Sequence, residues 1–580
     1  MDRGDPGARV HAGDPMTVPR ARWLALAVIA GTVLVLRAPS LTIPILNEDE
    51  ALYATTAASM AAGQPPYRAG VESKPPGIFY LYEAAFAVVG RYDMRALHAL
   101  TMLWVLGTAL VVGGLARRAA PGPAPPASPS SPSSPSSPSS PSSPSSPSSP
   151  SSPSHRVLST ATLAALLYVA FTIVEEPAVM ASQCELLYSL PLAIAAWLVI
   201  RGSTGGARWL AGCAAIGLAG VLCGAGTLIK PTAISLPVAA SAWLVVRRRM
   251  LGGPDPWLVD LARTAALWAG FAAAWLVAWA YFAHLGVWDD LVYWAFRWTL
   301  GTYIPTGTSH SPFLMRFAAG FCAWVALTAI LWLCAGVAVR AAWRRAGRDD
   351  RDHRSGAPAQ GTGLLVAWAL AATALTFLGG RFFDHYFPAV IPPLAALAAV
   401  GIGHVRARAG WRRAVAIGAA LPTLACWAGT WQFDRTTSWF GEAPKPYDRI
   451  AGYLHDHTAE TDRVFVWGYF PLIYVAADRL AATRYVGCHY VTGYAAIGLG
   501  RDLPPELEDR LGVPGGFAIL LGDLEAFHPA LIVDTAPADL HHWRRYPLSR
   551  YPVLADYVSA HYVREAEVQG AVIYRRRPLR

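Results

Sequence analysis

Long apolar segments separated by short arginine-rich loops are the feature that most constrains how this chain of 580 residues can fold. Most of these segments approach the ~20 apolar residues that a helix needs to cross a bilayer. Hydrophobic residues make up 54% of the chain and charged residues only 15%, whereas soluble domains average about 25% charged residues. The composition therefore excludes an ordinary soluble enzyme and a disordered scaffold, and it predicts a multi-pass membrane protein.

Hydropathy predicts about eleven spans, and the arginine-rich loops between them fall on one side of the membrane. Because basic loops stay in the cytoplasm, we expect a cytoplasmic N-terminus and an extracytoplasmic C-terminal region, in a plasma membrane. The formal charge of +10 then follows from topology and does not indicate nucleic-acid binding. The predicted spans are residues 23–36, 95–115, 158–174, 186–200, 209–229, 233–246, 267–283, 317–339, 364–378, 388–402 and 415–430.

Composition divides the chain into regions. Residues 1–20 predict a disordered cytoplasmic tail, and residues 21–432 a mainly α, polytopic transmembrane helical bundle. Inside the bundle, residues 121–154 are mostly the repeat Ser-Ser-Pro, which has almost no apolar side chains to bury and predicts a disordered cytoplasmic linker. Residues 433–580 predict a small extracytoplasmic α/β domain. Its predicted elements are a helix at 447–457 and strands at 464–467, 531–533 and 572–574.

Two charged motifs follow the first predicted span on the outer side. Asp49 and Glu50 begin the motif Asp-Glu-Ala-Leu-Tyr, which ends at Tyr53, and Lys74 precedes two prolines. An acid there is either a solvated loop residue or a general base that acts on a hydroxyl group. The lysine either extends towards the membrane surface or binds a phosphate. The chain has only three lysines, at 74, 230 and 445, so a retained lysine marks a position where the wide guanidinium fork of arginine fails.

The order of the motifs resembles the GT-C membrane glycosyltransferases, specifically the protein-mannosyltransferase and aminoarabinose-transferase group that is similar to glycosyltransferase family 39. The first outer loop of that group carries Asp-Glu-x-x-Tyr and, about twenty-five residues later, Lys-Pro-Pro. Three further motifs continue the match on the same predicted side of the membrane. They are Ser182-Gln183-Cys184-Glu185-Leu186, Thr227-Leu228-Ile229-Lys230-Pro231, and Arg381-Phe382-Phe383-Asp384-His385-Tyr386.

The resemblance implies a GT-C bundle that transfers a sugar from a polyprenyl-phosphate donor to a hydroxyl acceptor. It also implies inversion of configuration at the anomeric carbon, and mannose is the first candidate for the sugar. The acceptor class stays open between a protein, a glycan and a glycolipid. The implied roles are a catalytic set of Asp49, Glu50 and Glu185, donor-phosphate binding by Lys74, Lys230, Arg381 and His385, and substrate positioning by Tyr53 and Tyr386.

No cofactor is certain from these motifs. Members similar to aminoarabinose transferases place a glutamate directly before Lys-Pro-Pro, where it helps to bind a metal. This chain has Ser73 there and Glu72 one residue earlier, which argues against a metal and leaves a divalent ion as the weaker interpretation.

Two other classes of protein share some of these features. A transporter or flippase of lipid-linked sugars would also need spans and phosphate contacts, but such proteins place buried charges near the middle of the bilayer and have repeated halves. Here the charges lie at the ends of predicted spans, and the spans show no repeated halves. A structural membrane protein would leave the motifs around Asp49 and Lys74 unexplained.

Overall fold

The computed structural model describes residues 17–120, 158–175, 177–203, 209–251, 256–310, 312–346, 356–405, 409–436, 446–494 and 503–578. The predicted linker at 121–154, Lys445 and most of the predicted N-terminal tail lie outside these ranges. The division of the chain into domains stays a prediction, and its boundary between residues 432 and 433 falls inside a helix that ends at Thr436.

Helices build the described part of the chain as far as Thr436. Apolar sequence favours this, because a backbone in hydrocarbon must satisfy its polar groups within its own segment. The α-helices are α1 Thr17–Arg37, α2 Pro39–Thr42, α3 Glu48–Ala61, α4 Gly77–Val89, α5 Met94–Ala119, α6 Thr160–Phe171, α7 Cys184–Ser203, α8 Trp209–Ile229, α9 Ser235–Leu251, α10 Trp257–His284, α11 Trp288–Val292, α12 Ile304–His310, α13 Phe313–Arg316, α14 Ala323–Leu327, α15 Ala329–Ala346, α16 Gly356–Thr376, α17 Ile391–Val405 and α18 Ala409–Thr436.

Five helices in the described ranges are long and apolar enough to cross a membrane, namely α5, α7, α8, α10 and residues 410–431 of α18. A sixth candidate is the pair Phe313–Leu327 and Ala329–Arg344, which bends by 65°. Several other predicted spans fall on apolar helices of 10–17 residues. The polytopic helical bundle is therefore confirmed, whereas the count of eleven spans stays a prediction.

Close backbone contact joins α8 to α10. A methyl group built on Gly220 would lie 1.9 Å from the carbonyl oxygen of Leu267, so only glycine permits this approach. Small residues at such contacts are how membrane helices pack, because lipid supplies no hydrophobic force between them. The contact fixes the end of α8, which precedes Lys230.

A five-stranded sheet follows the helical part, as the sequence predicts for a small C-terminal α/β region. Its order is β2-β1-β3-β5-β4; β2, β1 and β3 are parallel, and β5 is antiparallel to β3 and β4. The elements are α19 Pro446–His457, β1 Arg463–Trp467, α20 Leu472–Ala477, β2 Leu480–Ala481, α21 His489–Thr492, α22 Pro505–Leu511, α23 Gly516–Phe527, β3 Leu531–Asp534, α24 Pro552–His561, β4 Tyr562–Val568 and β5 Ala571–Arg576.

The C-terminal region rests on the loops at one end of the helical bundle. The backbone N–H of Val71 donates to the carbonyl of Arg484 over 2.8 Å. Arg91 pairs with Asp478 over 2.7 Å, at the loop between α4 and α5. These contacts hold loops of the C-terminal region against the segment that precedes α4, and Lys74 belongs to that segment.

Candidate active site

Helix α3 carries three acidic residues in its first turn, which its N-terminus favours electrostatically. Asn47 caps this helix, and its side chain accepts a hydrogen bond from the backbone N–H of Glu50 over 2.8 Å. Successive helical residues point about 100° apart. As a result, the two neighbouring acids of the motif, Asp49 and Glu50, face different surroundings.

Glu50 points into the bundle and away from solvent. Its carboxylate lies 2.8 Å from Nε2 of His98 and accepts hydrogen bonds from the backbone N–H groups of Ser182 and Leu46. Burial alone would raise the pKa of Glu50, but the contact with His98 and these N–H groups lower it below its ordinary value. The structure therefore places Glu50 where it ties α3 to α5 and to the loop before α7.

Asp49 faces a cluster of charged groups. Its Oδ2 atom lies 3.4 Å from Nζ of Lys74 and 4.0 Å from Nε2 of His385, and it accepts a hydrogen bond from the Tyr53 hydroxyl over 3.2 Å. Burial favours a higher pKa for Asp49, but Lys74, His385 and Lys230 outweigh it and lower the pKa to about 2. Asp49 is therefore held as a carboxylate.

Lys74 bridges two acids. Its Nζ atom also lies 3.2 Å from Oε1 of Glu72, and the ammonium sits 5.0 Å from the centre of the Tyr53 ring. These contacts raise the pKa of Lys74 well above its ordinary value although burial opposes the charge. Tyr53 is fully buried behind the pair, so the structure places it against Asp49 and Lys74.

A second cluster lies on the neighbouring helices. Lys230, directly after α8, pairs with Glu185 in the first turn of α7, and its ammonium lies 4.3 Å from the centre of the Tyr386 ring. The Tyr386 and Tyr303 hydroxyls are 3.0 Å apart. The Arg381 guanidinium lies 4.2 Å from the centre of the Tyr303 ring.

Gly77 brings the two clusters together. A methyl group built there would lie 2.5 Å from the carbonyl oxygen of Leu228, near the end of α8. The start of α4, three residues after Lys74, can therefore touch the segment that precedes Lys230.

We expect Gly77→Ala to separate the Lys74 loop from α8, because a backbone carbonyl cannot yield as a flexible side chain can. Overpacking of this kind costs about 1–3 kcal/mol. Thermal unfolding of the purified protein should show a lower midpoint than Gly452→Ala does, because the methyl group at position 452 of α19 meets open space and φ there is not positive. Equal midpoints would show that this approach does not constrain the loop.

Residues of both clusters line one cavity of about 430 Å³. Seven of the nine residues that the motifs predict as site residues line it, whereas Glu50 and Tyr53 do not. The seven are Asp49, Lys74, Glu185, Lys230, Arg381, His385 and Tyr386. The chain thus gathers five motifs, which lie up to 337 positions apart in the sequence, around one space.

The C-terminal region closes the cavity with side chains that the motif analysis missed. Tyr469, His489, Tyr490 and His541 line the cavity from the C-terminal region, and we call these four residues the roof. The rings of His489 and Tyr490 lie 3.9 Å apart, and Trp298 of the helical part packs 5.0 Å from Tyr490. The only sequence signal for them is a surplus of Tyr and His between the predicted strands.

The donor set at this site does not fit a divalent metal. Within the described ranges, no group of three or more His, Cys, Asp or Glu side chains is placed to hold one. The position between Asp49 and Glu72 is taken by the ammonium of Lys74, which already supplies the positive charge.

No family model and no curated protein matches the chain. Several solved structures resemble it over nearly its whole length. ArnT from Cupriavidus metallidurans bound to undecaprenyl phosphate has a TM-score of 0.55 at 15% identity, with 96% of this chain and 98% of that chain covered. The chain has the GT-C fold. The archaeal oligosaccharyltransferase AglB from Archaeoglobus fulgidus, in complex with an inhibitory peptide and a dolichol-phosphate, has a TM-score of 0.51 at 13% identity, covering 97% and 75%. The GT-C resemblance that the motifs suggest is thus confirmed at the level of the fold.

Proposed function

We propose that this protein is a membrane glycosyltransferase that moves a sugar from a polyprenyl-phosphate donor to a hydroxyl acceptor with inversion. The observation that carries the proposal is that the carboxylate of Asp49 lines the same cavity as four basic side chains, Lys74, Lys230, Arg381 and His385. Two solved proteins with this fold hold polyprenyl phosphates, which supports the class of donor. Mannose is the first sugar to test.

The cations would stabilise the departing phosphate. Lys74, Lys230 and Arg381 lie in short loops beside helix ends, where ion pairs and ring contacts hold their side chains. Little reorganisation is therefore needed when charge develops on the leaving group. Such preorganised electrostatic stabilisation is commonly the largest single contribution to a rate enhancement. The apolar tail would lie beside Leu375 and Leu378, which line the same cavity at the C-terminal end of α16.

Asp49 would take the proton of the acceptor hydroxyl. Inversion requires this base on the face of the sugar opposite the leaving phosphate. A carboxylate with a pKa of about 2 is a poor base. Donor phosphate would compete with Asp49 for Lys74, and loss of that ion pair would raise the pKa of Asp49. Donor binding would therefore activate the base.

If donor phosphate replaces Asp49 as the partner of Lys74, the pH profiles of kcat and of kcat/KM for the donor should differ. The pH profile of kcat/KM for the donor reports ionisations of the free enzyme. Because the pKa of Asp49 in the free enzyme is about 2, protonation of Asp49 should not lower kcat/KM above about pH 4. In kcat, which reports the donor complex, the acid limb should lie at higher pH. Steady-state rates from pH 4 to 8 at saturating and limiting donor check this. Superimposable acid limbs would contradict the exchange.

Helix α7 supports an orientation for the proposed enzyme, because it has Glu185 in its first turn and Arg201 in its last. A helix of 20 residues spans about 30 Å, so the cavity and this arginine lie at opposite membrane faces. Since basic residues favour the cytoplasm, we propose an extracytoplasmic cavity and C-terminal region, and a plasma-membrane location.

A turnover assay tests the proposal against transport. Purified protein is mixed with polyprenyl-phosphate mannose and a hydroxyl acceptor, and free polyprenyl phosphate is quantified by mass spectrometry. A transferase releases one polyprenyl phosphate per sugar transferred. Movement of intact donor across proteoliposomes with no release would support the transporter instead.

A further inference from the structure

We propose that the roof binds the acceptor and that this acceptor is an uncharged carbohydrate. This inference rests on the proposed function and names the substrate class of the same site. It starts from which residues supply the charges of the cavity lining. Every Lys and Arg among the lining residues, namely Lys74, Lys230 and Arg381, belongs to one of the sequence motifs, and the roof supplies neither residue type.

The roof presents aromatic rings and neutral polar atoms. The rings of Tyr469 and His489 meet edge to face with centres 4.6 Å apart, and His541 lies 5.2 Å from the Tyr469 ring. Burial lowers the pKa of His489 to about 3 although Asp49 opposes the shift, so its imidazole is uncharged at neutral pH. Aromatic faces beside a few polar groups suit a ligand with apolar C–H faces and many hydroxyls.

Glu48 also faces the roof. This residue lines the cavity in the first turn of α3, and its carboxyl group interacts electrostatically with His541. Burial raises the pKa of Glu48 although His541 opposes the shift, which favours the protonated form of the carboxyl group. A protonated carboxyl group can both donate and accept a hydrogen bond, which suits a polyhydroxyl acceptor.

Backbone strain indicates that the position of His541 is specified. Asp539, His541 and His542 have φ values of 53°, 58° and 60°, in the left-handed region that few residues other than glycine adopt. The strained turn brings Nδ1 of His541 to 3.1 Å from the carbonyl oxygen of Tyr469. Such strain persists where surrounding structure fixes it, commonly at a binding or catalytic site.

Four acceptors test the proposal with the full-length protein in phosphatidylcholine nanodiscs, without glycoside detergents that would themselves act as acceptors. They are octyl mannoside, mannotriose, octyl mannoside 6-phosphate and a Ser/Thr-rich peptide. With polyprenyl-phosphate mannose as donor, we expect kcat/KM for one or both neutral glycosides to exceed that for the phosphate and the peptide at least tenfold. Transfer to mannotriose would indicate a free glycan, and transfer to octyl mannoside alone a glycolipid headgroup. Equal or better transfer to the phosphate or the peptide would overturn the proposal.

Two variants locate the acceptor. His541→Asn keeps a residue that tolerates the left-handed backbone, and His489→Ala removes the second ring. Both should raise KM for the neutral acceptor at least tenfold and leave the donor Kd within twofold. His455→Ala, on an exposed helix of the same region, should leave both constants unchanged. An unchanged acceptor KM in both variants would overturn the proposal.

Donor binding, measured separately as thermal stabilisation by polyprenyl phosphate, tells two failures apart. If wild-type protein binds polyprenyl phosphate but transfers to neither neutral glycoside, the acceptor class is wrong and the donor site stands. If it binds no polyprenyl phosphate, the proposed function itself is wrong.

Discussion

Asp49→Asn is expected to lower glycosyl transfer by about 10²–10⁴-fold, the contribution of a positioned general base. The amide retains the shape of the carboxylate but cannot accept the acceptor's proton. Donor affinity should not fall, because Lys74 retains Glu72 and loses the competing charge of Asp49. The measurement is single-turnover release of polyprenyl phosphate, with donor Kd determined separately.

Asp456→Asn provides the matched control, since this acid lies exposed in the C-terminal region with its side chain 73% accessible. It should retain wild-type kinetics. If Asp49→Asn turns over at near-normal rates in a folded protein, another group is the base.

Lys74→Ala is expected to weaken donor binding by at least about a hundredfold, or about 2.7 kcal/mol. The substitution removes a phosphate contact and leaves Asp49 and Glu72 facing each other without their shared cation. Removing one partner from a buried charge pair costs about 2–5 kcal/mol. Lys74→Arg should restore only part of the affinity, because it keeps the charge but replaces a compact ammonium, 3.4 Å from Asp49 and 3.2 Å from Glu72, with a wider planar fork.

Titration with polyprenyl phosphate, followed by the thermal unfolding midpoint, measures both variants. Arg95→Ala, an exposed base in the first turn of α5, serves as the control and should bind like wild type. Wild-type donor affinity in Lys74→Ala would remove this lysine from the phosphate site.

Sequence patterns predict the helical bundle because apolar length alone decides whether a segment can cross a bilayer. They also predict β1, β3 and β5, where runs of apolar residues become buried strands. They miss β2, which has only two residues, and β4, whose pattern is mostly exposed. Such edge strands are held by their neighbours and carry little signal of their own.

The arrangement of the site is likewise only partly predictable from the sequence. Asp49 and Glu50 are adjacent acids, and the sequence does not say which one faces the cavity, because that depends on how α3 packs against α5. The Asn47 cap and the spacing of four residues between Asp49 and Tyr53 are signals that could have placed Tyr53 behind Asp49. The roof has no such signal, because His489 and His541 reach Asp49 only through the docking of loops about 440 residues or more away.

The anomeric configuration of the product shows whether the sugar is transferred in a single displacement. Polyprenyl-phosphate sugar of known configuration is supplied with a neutral glycoside acceptor, and the new glycosidic bond is assigned by proton NMR. We expect the inverted anomer, formed with one polyprenyl phosphate released per bond. A retained configuration, or donor consumed without a new glycosidic bond, would contradict a single-displacement reaction between Asp49 and the phosphate site.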